Sequence, residues 1–214
     1  MKTDNDKDKT EDFLSVNSRA IVTGIMELFS EVDARSAEFV AMTGISCPEK
    51  CGKCCASSAV ETTAMEMMPL AEELWKKGEA EKWLDRINST GAGKCVFFKE
   101  DPDVEGNGRC VVYGYRPLIC RLFGFFTVKD KNGKYVYGSC KVIKEHYPEK
   151  YKKALSVLSD IQHPSNMTDY SIRVMSSGTD LGRRMLPINI AAGAAIEKTG
   201  FEKQQNSGGR GWTR

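Results

Sequence analysis

The stretch Cys47-Pro48-Glu49-Lys50-Cys51-Gly52-Lys53-Cys54-Cys55 places four thiols within nine residues. So dense a run of Cys, Gly and Pro predicts a ligand loop, not a helix or strand. Cys51 and Cys54 have the two-residue gap that lets one loop present both sulfurs to a single ion, with Gly52 relieving the turn between them. Adjacent side chains in extended backbone point to opposite faces, so Cys54 and Cys55 are expected to serve two metal centres or one polynuclear centre. Further along, Cys95, Cys110, Cys120 and Cys140 bring the cysteines to eight. That is twice the number a closed tetrahedral site or a cubane cluster takes, and two four-thiolate sites is the simplest arithmetic.

The compartment decides between thiols and disulfides. Residues 1–12 are mostly charged and polar, with no apolar run of secretory-signal length, and no stretch of about 18 apolar residues occurs to span a membrane. The expected location is the cytoplasm, where disulfides seldom persist and clustered cysteines serve as metal ligands or redox thiols. With 31 basic and 29 acidic residues the formal charge is +2, which calls for neither a nucleic acid nor a membrane partner. No protein or redox partner is identified by the sequence.

Positive charge gathers beside the thiols. Of the fourteen non-cysteine positions flanking the eight, six are basic (Lys50, Lys53, Lys94, Arg109, Arg121 and Lys141) and none is acidic, where about two would fall there by chance. Such neighbours lower thiol pKa and compensate a thiolate-rich centre. Zinc and iron–sulfur clusters both accept thiolate-only sites. The two histidines, His146 and His163, lack ligand spacing to a cysteine pair and are expected on the surface or in loops. Three other motifs fail on detail. Cys51-Gly52-Lys53-Cys54 lacks the preceding strand of a dithiol redox site. Residues 90–95 misplace the first Gly of a phosphate loop and put Cys95 where Ser or Thr should bind magnesium. Residues 101–112 end on Val112 where a calcium loop needs Glu.

Periodicity predicts a mainly α protein with a small β portion, its helices packed around cysteine-rich metal-binding loops. Leu14, Ile21, Ile25, Leu28, Phe29, Val32 and Val40 form the stripe of a long helix within residues 11–42, stopped at Gly44. Thr63 and Glu66 have capping-box spacing ahead of Met67, Leu70, Leu74 and Trp75, predicting a helix to about Lys77 and a second over residues 79–88. Short apolar runs at 95–98 and 110–115 flank a turn-prone segment. Asn132-Gly133 predicts a hairpin with positive φ at both central residues. Residues 148–161 should be helical, and residues 185–196, with Ala191, Ala192, Gly193, Ala194 and Ala195, should pack closely on a neighbour. Residues 1–10 read as a disordered lead, 11–203 as one domain with its core motif at 47–140, and 204–214 as a frayed tail. The loops 44–60 and 93–141 carry few apolar residues near their cysteines, so metal binding is expected to be coupled to their folding.

The segments Cys51-Gly52-Lys53-Cys54-Cys55 and Cys110-Val111-Val112-Tyr113-Gly114-Tyr115-Arg116-Pro117-Leu118-Ile119-Cys120-Arg121 resemble those of the zinc- or iron-chelating cysteine-cluster family, the YkgJ-like proteins. The likeness covers residues 47–140 and includes Cys95 with Phe97 and Phe98, and a final Cys140. Here three residues separate Cys47 from Cys51, where the motif has two. The resemblance implies metal binding by Cys47, Cys51, Cys54, Cys55, Cys95, Cys110, Cys120 and Cys140. Many members are described as iron–sulfur oxidoreductases, and flagellin lysine methylases are similar in their cluster. Arg116 and Arg121 are expected either to bind the cofactor or an anionic substrate, or to be buried and satisfied by backbone; Pro117 stiffens the chain between Cys110 and Cys120. Tyr113 and Tyr115 are expected to be packing residues. The first functional reading is an iron–sulfur protein with a redox or modification role. The alternatives are a structural zinc protein acting as an interaction module, and a cluster-dependent enzyme of methyltransferase type, for which no methyl-donor motif is present. No residue is identified as catalytic.

Overall fold

In the computed structural model the described residues are 13–160, 165–176 and 179–208. The expected lead at 1–10, Ile161, His163 and the end of the tail lie outside them. Helix α1 (Val16–Thr43) starts at Ser15, whose hydroxyl accepts from Ser18 N–H, and stops at Gly44, left-handed at φ 70, whose N–H donates to the Val40 carbonyl. Its buried residues Val22, Ile25, Leu28, Phe29, Val32 and Phe39 recur along one face. The cysteine loop follows, then strand β1 (Glu61–Thr63), helix α2 (Met68–Lys76) and helix α3 (Ala80–Thr90). The Thr63 and Glu66 side chains cap each other's backbone N–H groups, at 3.2 and 3.3 Å. The capped turn runs through residue 67, so α2 begins later than the spacing alone suggested.

Strands β2 (Phe98–Glu100) and β3 (Gly108–Cys110) pair antiparallel, and helix α4 (Leu118–Leu122) follows. A second hairpin joins β4 (Thr127–Lys129) to β5 (Tyr135–Tyr137). The hairpin at Asn132-Gly133 is present with a different turn. Only Gly133 has positive φ, at 78°, and Asp130 Oδ1 accepts from the Asn132 and Lys134 N–H groups, both at 2.9 Å. An aspartate-capped loop has replaced the tight two-residue turn. Helices α5 (Lys141–His146), α6 (Pro148–Asp160), α7 (Met167–Met175) and α8 (Asp180–Arg183) lead to β6 (Met185–Pro187), which pairs with β1, and to α9 (Ile188–Gly208). The apolar run at 185–196 is thus part strand and part helix, and the residues after 203 continue α9 to Gly208.

The fold is mainly α with a small β portion, and three apolar clusters hold it. The first joins α2, α3 and α9 through Met68, Leu70, Ala71, Trp83, Ala191, Ala192 and Ala195. The small residues of α9 let it lie close to α2, and a Cβ at Gly200 would stand 2.4 Å from the Trp75 ring. The second cluster sets α1 against α4 and α7, with Phe29, Val32, Leu118, Leu122 and Val174. The third gathers Phe39, Ile45, Tyr137, Ile143 and Ala154. Among the described residues no helix is long and apolar enough to cross a membrane.

Candidate metal centre

The cysteine loop is fixed to the β2–β3 hairpin by backbone. Gly52 N–H donates to the Gly106 carbonyl at 2.9 Å, Gly108 N–H to Lys50 at 2.8 Å, and Cys95 N–H to Cys55 at 3.4 Å. Lys50, not Gly52, takes the left-handed conformation, at φ 57. Gly52 is required for another reason: a Cβ there would stand 2.1 Å from the Phe98 ring. The remaining cysteines are set by elements. Cys110 ends β3 opposite Phe98, and Cys120 sits in α4. Cys140 caps α5, its sulfur accepting from Ile143 N–H at 3.4 Å.

These placements bring all eight cysteines to the wall of one cavity of about 980 Å³. None of them is in a disulfide, and Cys47 is exposed while the others are half-buried. Cys54 and Cys55 lie in a turn, not in extended backbone, so their sulfurs are hydrogen-bond neighbours instead of facing apart. The Cys55 thiol donates to Cys54 and lowers its pKa to about 6, helped by backbone N–H groups and Arg116 against the cost of burial. Cys55 accordingly keeps its proton far above the usual range, first because of that bond and then because of burial. Burial raises Cys47 and Cys95 to about 11 and also raises Cys110 and Cys120. Without a cation between them, most of these thiols stay protonated at neutral pH.

The two arginines of the Arg116-Pro117 block part company. Arg116 lines the cavity, its guanidinium 3.5 Å over the Tyr113 ring, with Nε donating to the Tyr113 carbonyl at 3.0 Å and Nη1 to Cys120 at 3.3 Å. Its charge favours the thiolates of Cys47, Cys54, Cys110 and Cys120. Arg121 is not on the cavity wall. Its side chain is 3% exposed, over the Phe29 ring, paired with Asp33 of α1 and donating to the Arg116 and Gly114 carbonyls. It fastens the block to α1. Of the six flanking cations, Lys50, Lys53, Arg109 and Lys141 line the cavity, whereas Lys94 pairs with Glu100 at 2.7 Å. Tyr113 is no packing residue: it is 63% exposed at the cavity wall beneath Arg116.

A residue whose role the sequence hid is Glu66. Besides its capping bonds, Oε2 accepts from Leu118 N–H at 2.8 Å, so a buried carboxylate holds the start of α4 and with it Cys120. The capping spacing could have found Glu66, but nothing local points to α4.

The donor set fits a thiolate-bound metal. Among the described residues no histidine lines the cavity and Glu145 is its one carboxylate, a composition that suits zinc or iron–sulfur and disfavours hard cations. His146, on α5, is exposed. Among the described residues no group of three or more Cys, His, Asp or Glu side chains is already disposed to hold a metal ion. No curated protein and no solved structure matches the chain. Residues 46–145, which contain all eight cysteines, match the family model CxxCxxCC, described as a "putative zinc- or iron-chelating domain".

Proposed function

We propose that this chain is a cytoplasmic iron–sulfur protein whose cysteine-lined cavity holds cluster iron for electron transfer or for a redox-driven modification. The observation that carries the reading is the gathering of eight thiols, from separate segments of the chain, round one cavity of about 980 Å³ with no histidine among its described lining residues. A single tetrahedral zinc needs its sulfurs about 2.3 Å from one point, whereas a cluster spreads its ligands over several irons. Eight thiols on one cavity wall exceed what one tetrahedral zinc takes, which favours the larger group. Lys50, Lys53, Arg109, Arg116 and Lys141 on the wall supply charge compensation for a thiolate-rich cluster. A bound cluster would supply one-electron transfer at a potential set by charge, hydrogen bonding and exposure. The chain's own contribution is to hold the eight cysteines, and to keep Arg116 among them as the cofactor-binding cation while Arg121 positions the block.

Anaerobic purification with iron, zinc and acid-labile sulfide analysis tests this. The expected result is a brown protein with iron and sulfide in comparable amounts. A colourless protein carrying stoichiometric zinc and no sulfide would establish the structural zinc alternative instead.

A further inference from the structure

The cavity has two walls of different make. Cys95 and Cys110 pack on the first apolar cluster, beside Val96 and Phe97. Cys140 packs on the third, with Ile45 and Ile143. The cysteine loop crosses between them: it leaves Ile45 in the third cluster, and by Cys55 it is bonded to Cys95 at the first. Its first thiol is therefore delivered to one wall and its last to the other.

We infer from this that the eight thiols form two centres, divided between the adjacent Cys54 and Cys55. Cys55, Cys95, Cys110 and Cys120 hold an inner centre. Cys47, Cys51, Cys54 and Cys140 hold an outer one at the mouth, where Cys47 is exposed. The electrostatic neighbours agree. The sulfurs that act on Cys47 are those of Cys140, Cys54 and Cys51, while beyond its neighbour Cys54 those acting on Cys55 are Cys120 and Cys95. Cys54 acts on both sides, on Cys95, Cys110 and Cys120 as well as on Cys47, and the direction of the loop decides: Cys55 is the residue bonded to Cys95, so Cys54 falls with the thiols before it. The contact between the Cys54 and Cys55 sulfurs puts the centres side by side, and the outer one is open to a substrate or redox partner. The division rests on the proposed thiolate-bound metal but not on which metal it is.

The test uses the full chain loaded anaerobically with ferrous iron and sulfide, and in parallel with zinc. Metal is counted, and iodoacetamide labelling is mapped by mass spectrometry, in Cys120→Ser, Cys140→Ser and the double variant. Each single variant should keep about half of its metal and the double almost none. Cys120→Ser should open Cys55, Cys95 and Cys110 to labelling with the outer four protected; Cys140→Ser should open Cys47, Cys51 and Cys54 with the inner four protected. Labelling of any outer thiol in Cys120→Ser, or loss of all metal in either single variant, overturns the division. If circular dichroism shows that a variant has unfolded, slow chelation of the unaltered chain decides: intermediates carrying four labels uphold two centres, and a direct step to eight overturns them. The same split with zinc alone keeps the two centres and removes the iron–sulfur reading, while iron and sulfide lost in one step does the reverse.

Discussion

The four cysteines of the loop at residues 46–60 and the four that follow it are held by opposite means. In that loop only Gly52 is buried. By contrast Cys95 precedes buried Val96 and Phe97, Cys120 lies between buried Leu118 and Leu122, and Cys140 precedes buried Ile143. The later cysteines are placed by apolar residues that would be buried with or without a metal. The first four rest on a few backbone bonds to a hairpin of three-residue strands and on whatever their sulfurs bind. The expectation that both cysteine regions lack apolar anchors therefore holds for the first and fails for the second. Coupling of metal to folding should concentrate in residues 46–60.

The contrast can be broken most sharply by removing ligands. Serine is a poor, largely protonated substitute for thiolate, so Cys110→Ser, on the rigid hairpin, should lose most of the metal of its centre. Cys47→Ser, exposed and preceded by the irregular spacing, should lose least. Metal counted per chain checks this, and full retention in Cys110→Ser with complete loss in Cys47→Ser would reverse the ranking. Next in size is Arg121→Ala. It removes three charge-assisted bonds from a buried guanidinium and should lower unfolding stability by about 2–4 kcal/mol in urea titration. Gly52→Ala acts on the other region. Its Cβ has no room beside Phe98, so the loop must leave the hairpin, with weakened metal binding but a global cost of about 1–3 kcal/mol or less. A loss of stability larger than that of Arg121→Ala would show the loop to be a structural support.

The smallest effects are those of pH. They belong to the thiols that keep their place without metal. In metal-free protein Cys95, held beside buried Val96 and Phe97 and raised to about 11 by burial, should be alkylated last at neutral pH, behind the thiols of the released loop. The same shift acts on stability. Unfolded thiols ionise at about 8.5. Cys95 stays protonated in the fold where the unfolded chain does not, so stability declines as pH rises from about 8.5 to about 11. Urea midpoints of metal-free protein across this range, with Cys95→Ser as the control, check the sign.

Much of this was legible in the sequence because it depends on local signals. The long stripe ending at Gly44 and the helix starting at Pro148 each have helical periodicity and one clear boundary residue. The eight ligand candidates needed only their residue type and number. What was not legible depends on partners far away in the chain. Strands β1 and β6 are three residues each, too short for alternation to show, and their pairing joins Glu61 to Pro187. Arg116 and Arg121 belong to the same short motif, and only the fold against α1 decides which faces the cavity. Tyr113 looked like a packing residue because an aromatic beside apolar residues usually is one, yet the turn before Pro117 puts it outside with Arg116 stacked on it.

Hydrogen exchange on the loaded and the chelated protein tests most directly the claim that metal, and not an apolar core, orders the first cysteine loop. Residues 46–60 should be protected when loaded and lose that protection on chelation, while α1, α2 and α9 exchange at unchanged rates and the segments around Phe97, Leu122 and Ile143 change little. Equal protection of residues 46–60 in the two forms would contradict the claim.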